Sequence, residues 1–273
     1  LEMCFAASLA GARALCAMKH LGLMYAGDPI STAPYVGAPG GMVVVTAGDP
    51  SCRTSPNEQD QRLLAAMLHT PLLDPSTPEE ARAMARAAFE LSERSNLPVL
   101  LRPTTWVCHT RGPVRYDALQ PPRVAGFERN PPRLNPIPVN ARRMRQEIEQ
   151  RLEVARQIIA DGPFIRRQGE GRLAVCAAGA PAALCADLLQ DRGLADQLVL
   201  LSVGALHPLP EQHIARLLEG VERVLVVEEL SPFLEDALLA LRGRGVLSAE
   251  IFGKRSGHLP IPFEVEPRQI EQA

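Results

Sequence analysis

The strongest constraint on this chain is a set of short apolar runs at helix-compatible intervals: GGMVVV at 40–45, PVLL at 98–101, LAVCAA at 173–178, LVLLSV at 198–203 and RVLVV at 223–227. Each is too short for a globular helix and rich in β-branched or other apolar residues. The runs are continuous rather than alternating, which marks strands covered on both faces. Helix-forming stretches lie between them, so the expected fold is α/β with mostly parallel sheets. A chain of 273 residues is large enough for two domains.

Along the chain, residues 1–20 are rich in helix formers and read as one helix, with Ala6, Ala10, Gly11 and Ala14 on a small-residue face. Gly22 to Ala26 reads as a short strand and 58–69 as a helix, with Ser55 or Asn57 as candidate caps. Thr77, Pro78, Glu79 and Glu80 form a helix start signal for 77–95. After Gly171 the rhythm resumes, with helices expected at Ala180–Gln190, Glu211–Leu218 and Pro232–Arg242, and a further strand in SAEIFG at 248–253. AGDP occurs at 26–29 and again at 47–50, which is turn chemistry rather than a repeat.

Seven prolines between Pro113 and Pro138 interrupt the pattern and mark a semi-rigid connector. The expected layout is a first domain over 1–112, a Pro- and Arg-rich linker with a connecting helix capped by Asn140 over 113–164, and a second domain over 165–273. Between Arg111 and Arg145 eight arginines face two acids, most simply a solvated connector. The net charge of −2 argues against a nucleic-acid or membrane-surface binder. No apolar run reaches the roughly 18 residues that a membrane span needs. Six scattered cysteines without a CxxC pair exclude a sequence-evident iron–sulfur or zinc site and suit a reduced cytoplasmic protein.

No nucleophile elbow, phosphate loop or dinucleotide-binding glycine motif is present. Polar residues concentrate instead where the first-domain strands should end: Met18–Gly22, Asp49–Asp60 and Arg102–Gly112. Ligands of open α/β sheets gather at the carboxyl ends of strands, so these segments are the candidate site.

Several motifs occur together and in order: AASLAGARA at 6–14, MKHLGL at 18–23, GGMVVV, NEQDQR at 57–62, PVLLRPTT at 98–105, HTRG at 109–112, VLVVEELSPFLE at 224–235 and IFGKRSGHLP at 251–260. In this combination the chain resembles the alpha subunit of indolepyruvate ferredoxin oxidoreductase. The resemblance implies a thiamine diphosphate pyrimidine-binding domain followed by a transketolase carboxy-terminal-like domain. It implies oxidative decarboxylation of an aryl 2-oxo acid to an acyl-CoA, with electrons passed through iron–sulfur clusters to ferredoxin. The alternatives are a non-catalytic scaffold and the same chemistry on another 2-oxo acid.

The resemblance directs cofactor binding to Lys19, His20, Gly22, Asp49, Arg53, Asn57, Glu58, Gln59 and Asp60, and substrate binding to Thr104, Thr105 and His109. No residue of the chain ligates metal in this reading. The activating glutamate of the family is expected upstream of Leu1; Glu2 lies about five residues later, turned by about 140° on a helix. No GDG…N motif for diphosphate and Mg is present, since Asp161-Gly162 lacks the preceding glycine. Trp106 stands where the family usually has arginine, and Pro56 where it often has glutamine. Thiamine diphosphate with Mg is therefore expected to be shared with a diphosphate-binding domain, and the clusters to lie elsewhere in the enzyme. The implied partners are that domain, a beta subunit, ferredoxin indirectly, and a second copy in a two-fold dimer that covers Ala6, Ala10, Gly11, Ala14, Met18 and Leu21.

Overall fold

The computed structural model describes residues 1–113, 124 and 126–273. The first part of the chain runs α1 (Glu2–Leu9), β1 (Ala14–Lys19), α2 (His20–Tyr25), α3 (Gly27–Val36), β2 (Met42–Ala47), α4 (Gln61–Leu68), β3 (Leu72–Leu73), α5 (Pro78–Ser95), β4 (Val99–Leu101) and α6 (Thr105–His109). After α7 (Pro131–Leu134) and α8 (Pro138–Asp161) come β5 (Ile165–Gln168), β6 (Leu173–Ala178), α9 (Ala180–Asp191), β7 (Val199–Val203) and β8 (Ala205–His207). The chain ends with α10 (Glu211–Leu217), β9 (Arg223–Val227), α11 (Leu234–Gly243), β10 (Glu250–Phe252) and α12 (Pro267–Gln272).

Two five-stranded sheets result, ordered β1-β2-β4-β3-β8 and β10-β9-β6-β7-β5. Both are parallel except for one antiparallel edge strand each, β8 and β5. The apolar runs occupy the buried strands as expected. The edge strands lacked such a signal, because β5 reads IRRQ and β8 has only three residues.

The expectation for the first 20 residues is corrected. The helix stops at Leu9 and a turn follows, with Gly11 at φ +81°. Residues 14–19 then pair in parallel with 42–47. Helix propensity amounts to a few tenths of a kcal/mol per residue, and a full ladder beside a buried strand overrides it. Gly40 allows the close approach, since a Cβ there would lie 2.6 Å from the Ala12 backbone. Ala6, Ala10 with Gly11, and Ala14 with Met18 therefore fall on a helix, a turn and a strand, and do not share one face. The strand expected at Gly22–Ala26 is instead α2 and its cap.

Other boundaries shift for local reasons. Helix α4 begins at Gln61 with Asp60 as its cap, accepting from the Arg62 amide, so neither Ser55 nor Asn57 caps it. Helix α8 starts at Pro138, two residues before Asn140, whose side-chain amide donates to Asn135 O instead. The first AGDP opens α3 rather than ending a strand. Helix α5 has the expected start, with the Thr77 hydroxyl accepting from the Glu80 amide. Of the Pro-rich connector, residues 114–123 and 125 lie outside the described residues.

Helix α8 buries Met144, Ile148, Leu152, Ala155 and Ile159 at helical spacing. It packs on α5 and α3 and carries the chain to the second sheet. One continuous segment then serves both sheets: β7 lies in the second, and β8 crosses to pair with β3 in the first. Gly204 sits at the crossing, donating to Phe164 O and accepting from the Asp74 amide, both at 2.8 Å. A single apolar core includes Val44, Leu100, Cys176 and Val226 and so runs through both sheets.

Candidate functional site

The loop after β2 is organised by one buried carboxylate. Asp49 is 1% exposed. It accepts from the Arg53 amide at 2.9 Å, and from the Thr54 amide at 2.8 Å and the Thr54 hydroxyl at 3.0 Å. Thr105, at the start of α6, donates to Asp49 Oδ1 and to Gly48 O, both at 3.2 Å. Burial alone raises a carboxylic acid pKa, but the amide donors of Thr54 and Arg53 outweigh it, and Asp49 is held well below the usual carboxylate range.

Lys19, at the end of β1, donates to the Thr54 hydroxyl at 2.9 Å and to Thr54 O at 3.2 Å, and stands 3.6 Å from Asp49. His20 is buried, and its Nε2 is 3.0 Å from Asn57 O. Because Asn57 O can only accept, Nε2 carries a proton, and in the neutral ring Nδ1 is then the acceptor. Nδ1 is buried without a partner, as is Gln59 Oε1. Glu58 is half-buried; burial and the neighbouring Asp60 raise its pKa. The structure thus brings Lys19, His20, Asp49, Asn57 and Thr105 together at the carboxyl ends of β1, β2 and β4.

The remaining candidates do other things. Gly22 is inside α2, where a Cβ would meet Met18 Cβ at 2.9 Å. Thr104 is buried with its hydroxyl unpartnered. His109 ends α6, exposed. Arg53 is turned to the second half of the chain, 2.8 Å from Glu264. Asp60 is paired with Arg62 at 2.7 Å, which keeps its pKa low against the opposing effect of burial.

Between the carboxyl ends of the two sheets lies a second cluster. Arg62 is 1% exposed; its Nη1 is 2.5 Å from Glu228 Oε2, and its Nη2 donates to the carbonyls of Glu229 and Ser231. Glu228 also accepts from the Phe233, Leu234 and Glu235 amides at the start of α11. Arg102 pairs with Asp74 at 2.9 Å, donates to Gln61 Oε1 at 3.1 Å, and stands 3.6 Å from Glu229 Oε2. Burial, with Asp74 and Glu264 nearby, pushes Glu229 up to about 7 against the opposing Arg102 and Arg62. Lys254, pushed down to about 8 by burial, donates to Pro260 O and Pro262 O.

Arg102 falls within the candidate segment 102–112, whereas Arg62, Asp74, Glu228, Glu229 and Lys254 are not among the residues to which the sequence directs a site. The available signal was the charge that ends each buried run: Arg102 after VLL, and Glu228-Glu229 after RVLVV. A fully buried charge needs a partner: Arg102 finds Asp74, which follows β3 of its own sheet, and Glu228 finds Arg62 of α4.

Residues 1–162 match the family described as pyruvate flavodoxin/ferredoxin oxidoreductase, thiamine diphosphate-binding. The whole chain is 39% identical to the indolepyruvate oxidoreductase subunit IorA of Methanothermobacter thermautotrophicus, covering 44% of that protein. It is 35% identical over 99% of its length to that of Archaeoglobus fulgidus, covering 43%. The chain therefore spans less than half the length of these curated relatives. Among solved structures, 2-oxoglutarate:ferredoxin oxidoreductase from Magnetococcus marinus superposes with a TM-score of 0.70 at 15% identity, over 98% of this chain and 54% of that one. A split-gene transketolase follows with a TM-score of 0.55 at 12% identity, over 92% and 69%. At such identities the two structures speak for the fold.

Proposed function

The chain belongs to the pyruvate flavodoxin/ferredoxin oxidoreductase, thiamine diphosphate-binding family, and on that premise we propose that it forms the pyrimidine-facing wall of an enzyme that oxidatively decarboxylates aryl 2-oxo acids to acyl-CoA and passes the electrons to ferredoxin. The names of the relatives support indolepyruvate as the substrate. When bound, thiamine diphosphate supplies the nucleophile and electron sink for loss of carbon dioxide from the 2-oxo acid.

The observation that carries this reading is the unpartnered edge at the strand ends. His20 Nδ1 and Gln59 Oε1 are buried acceptors without donors, a costly state unless a ligand supplies N–H groups. An aminopyrimidine offers such donors, so the residues present fit one edge of the cofactor. His20 is oriented by Asn57 O, so it holds its Nδ1 as acceptor. Lys19 uses two donors on Thr54 and keeps a third for a substrate carboxylate. Asp49 binds no ligand in this reading; it fixes Thr54 and Thr105 around Lys19.

The diphosphate is a different matter. Arg53 is paired with Glu264, and among the described residues no group of three His, Cys, Asp or Glu side chains is placed to hold a cation. We assign diphosphate and Mg to a separate domain of the protein; the greater length of the relatives leaves room for it. The iron–sulfur clusters, the beta subunit and ferredoxin belong to the same assembly, which we take to be a two-fold dimer in the cytoplasm. The six cysteines are free, and among the described residues no helix is long and apolar enough to cross a membrane.

The test is His20→Ala in the complete protein, measured by calorimetric titration with thiamine diphosphate and Mg. Loss of a buried acceptor contact weakens binding about tenfold. Unchanged affinity, together with no indolepyruvate-dependent reduction of ferredoxin by the parent protein, overturns the reading in favour of a scaffold.

A further inference from the structure

A cleft of about 550 Å³ opens beside the candidate site, between the two halves of the chain. Its walls are largely apolar, formed by Trp106, Pro181 and Leu184 of α9, and Ile261, Phe263 and Val265. One buried polar group lines it. Glu229 is 4% exposed, and its Oε2 has no hydrogen-bond partner. Arg102 Nη2, likewise without a hydrogen-bond partner, forms a long ion pair with it at 3.6 Å, which leaves Oε2 without a hydrogen bond.

We propose that this cleft seats the side-chain ring of the 2-oxo acid, a flat apolar ring carrying an N–H donor, and that Glu229 is the acceptor that selects it. The inference rests on the reading of the chain as part of an aryl 2-oxo acid oxidoreductase.

Three observations favour this occupant. First, the cleft borders the loop of the candidate site. Ser51 and Arg53 line it and belong to the loop that Asp49 pins, and Trp106 follows Thr105, which donates to the same carboxylate. Second, its ionisable lining is Arg53 against Glu229, Glu264 and Glu266, a net negative set that disfavours a polyanionic ligand such as a nucleotide. A neutral ring bearing a donor suits both the walls and the lone acceptor.

Third, the walls are held in place. The Leu230 amide donates to Phe263 O at 2.9 Å, tying that wall to the residue after Glu229. Lys254 Nζ holds Pro260 O at 2.7 Å and Pro262 O at 3.3 Å. Ser51 Oγ accepts from the Glu264 amide at 3.2 Å and joins the two sides of the cleft. A site fixed in this way discriminates by leaving Glu229 unpaired when the ring lacks a donor.

The experiment compares indole-3-pyruvate with phenylpyruvate in the complete protein. E229L should raise KM for the indole acid about tenfold and that for phenylpyruvate by less than about twofold, because only the former loses a hydrogen bond. E229Q, whose amide oxygen still accepts, should recover most of the preference. An equal change for both acids, or none, overturns the proposal. Should E229L fail to fold, the unsubstituted protein is titrated with indole and N-methylindole. About tenfold weaker binding of N-methylindole is expected, and equal affinities overturn the assignment. Displacement of indole by coenzyme A also overturns it, by giving the cleft to a thioester carrier. A protein that prefers indole yet oxidises neither acid defeats the functional reading and leaves the cleft assignment standing.

Discussion

Arg62 in α4 and Glu228 after β9, 166 residues apart, form an ion pair at 2.5 Å with each side chain 1% exposed. Glu228 is at the same time the anchor for three backbone amides that open α11. The NEQDQR segment is thus keyed to the carboxyl end of the second sheet, and the loop that carries Asn57, Glu58 and Gln59 takes its position from it. The pair is also a point of vulnerability, because removal of either partner leaves Arg62 with only Asp60, or Glu228 with only backbone amides, against the cost of burial.

Arg62→Ala should lower stability by about 3–5 kcal/mol in denaturant titration. Arg62→Met combined with Glu228→Gln should cost less than the sum of the single changes, since the partners are in contact. Additive effects would show that the pair does not couple the halves.

Asp49→Ala removes the acceptor for two amides and two hydroxyls. Leaving such donors unsatisfied costs about 1–3 kcal/mol each where they stay buried. The expected outcome is faster amide exchange across 50–57, with the strands β2 and β4 still protected. Unchanged exchange in that loop would mean that Asp49 does not organise it.

Glu229 gives a dependence on pH with a definite sign. Its folded value of about 7 lies above the ordinary 4.5, so the folded state favours the protonated form. The associated stability is fully present below about 4.5 and is lost as pH rises through about 7. Asp74, Arg102, Arg62 and Glu264 face the same carboxyl, and buried Asp74 is raised in the same direction. Glu229→Gln should flatten this decline by an amount on the order of a few kcal/mol. Denaturation midpoints measured across that range give the answer; parallel curves for the two proteins would be inconsistent with the raised value.

Gly179 precedes α9 at φ +63°, and a Cβ there would lie 2.9 Å from Asp74 Oδ2. Gly179→Ala should therefore destabilise by about 1–3 kcal/mol through backbone strain and displace the Asp74 carboxylate from Arg102. A melting temperature equal to that of the parent protein would contradict the crowding at this junction.

The sequence by itself determined the buried strands that carry long apolar runs, though not the two-residue β3, together with the parallel α/β class and the start of α5. Continuous apolar runs and a Thr-Pro-Glu-Glu start act through local periodicity and capping, which a linear reading detects. It also identified the family, because AASLAGARA, NEQDQR and VLVVEELSPFLE keep their order. Tertiary structure decided the rest. Residues 14–19 became a strand because Met42–Ala47 offered a ladder, a contact that no local propensity encodes. Ala205–His207 joined the first sheet because Gly204 lets the chain pass between Met84 and Phe164. Lys19, His20 and Asp49 could be named from strand ends, but the roles of Arg62, Arg102, Glu228 and Glu229 could not. Arg62 is paired with Glu228 and Arg102 with Asp74, and these contacts are set by how the elements pack rather than by spacing along the chain.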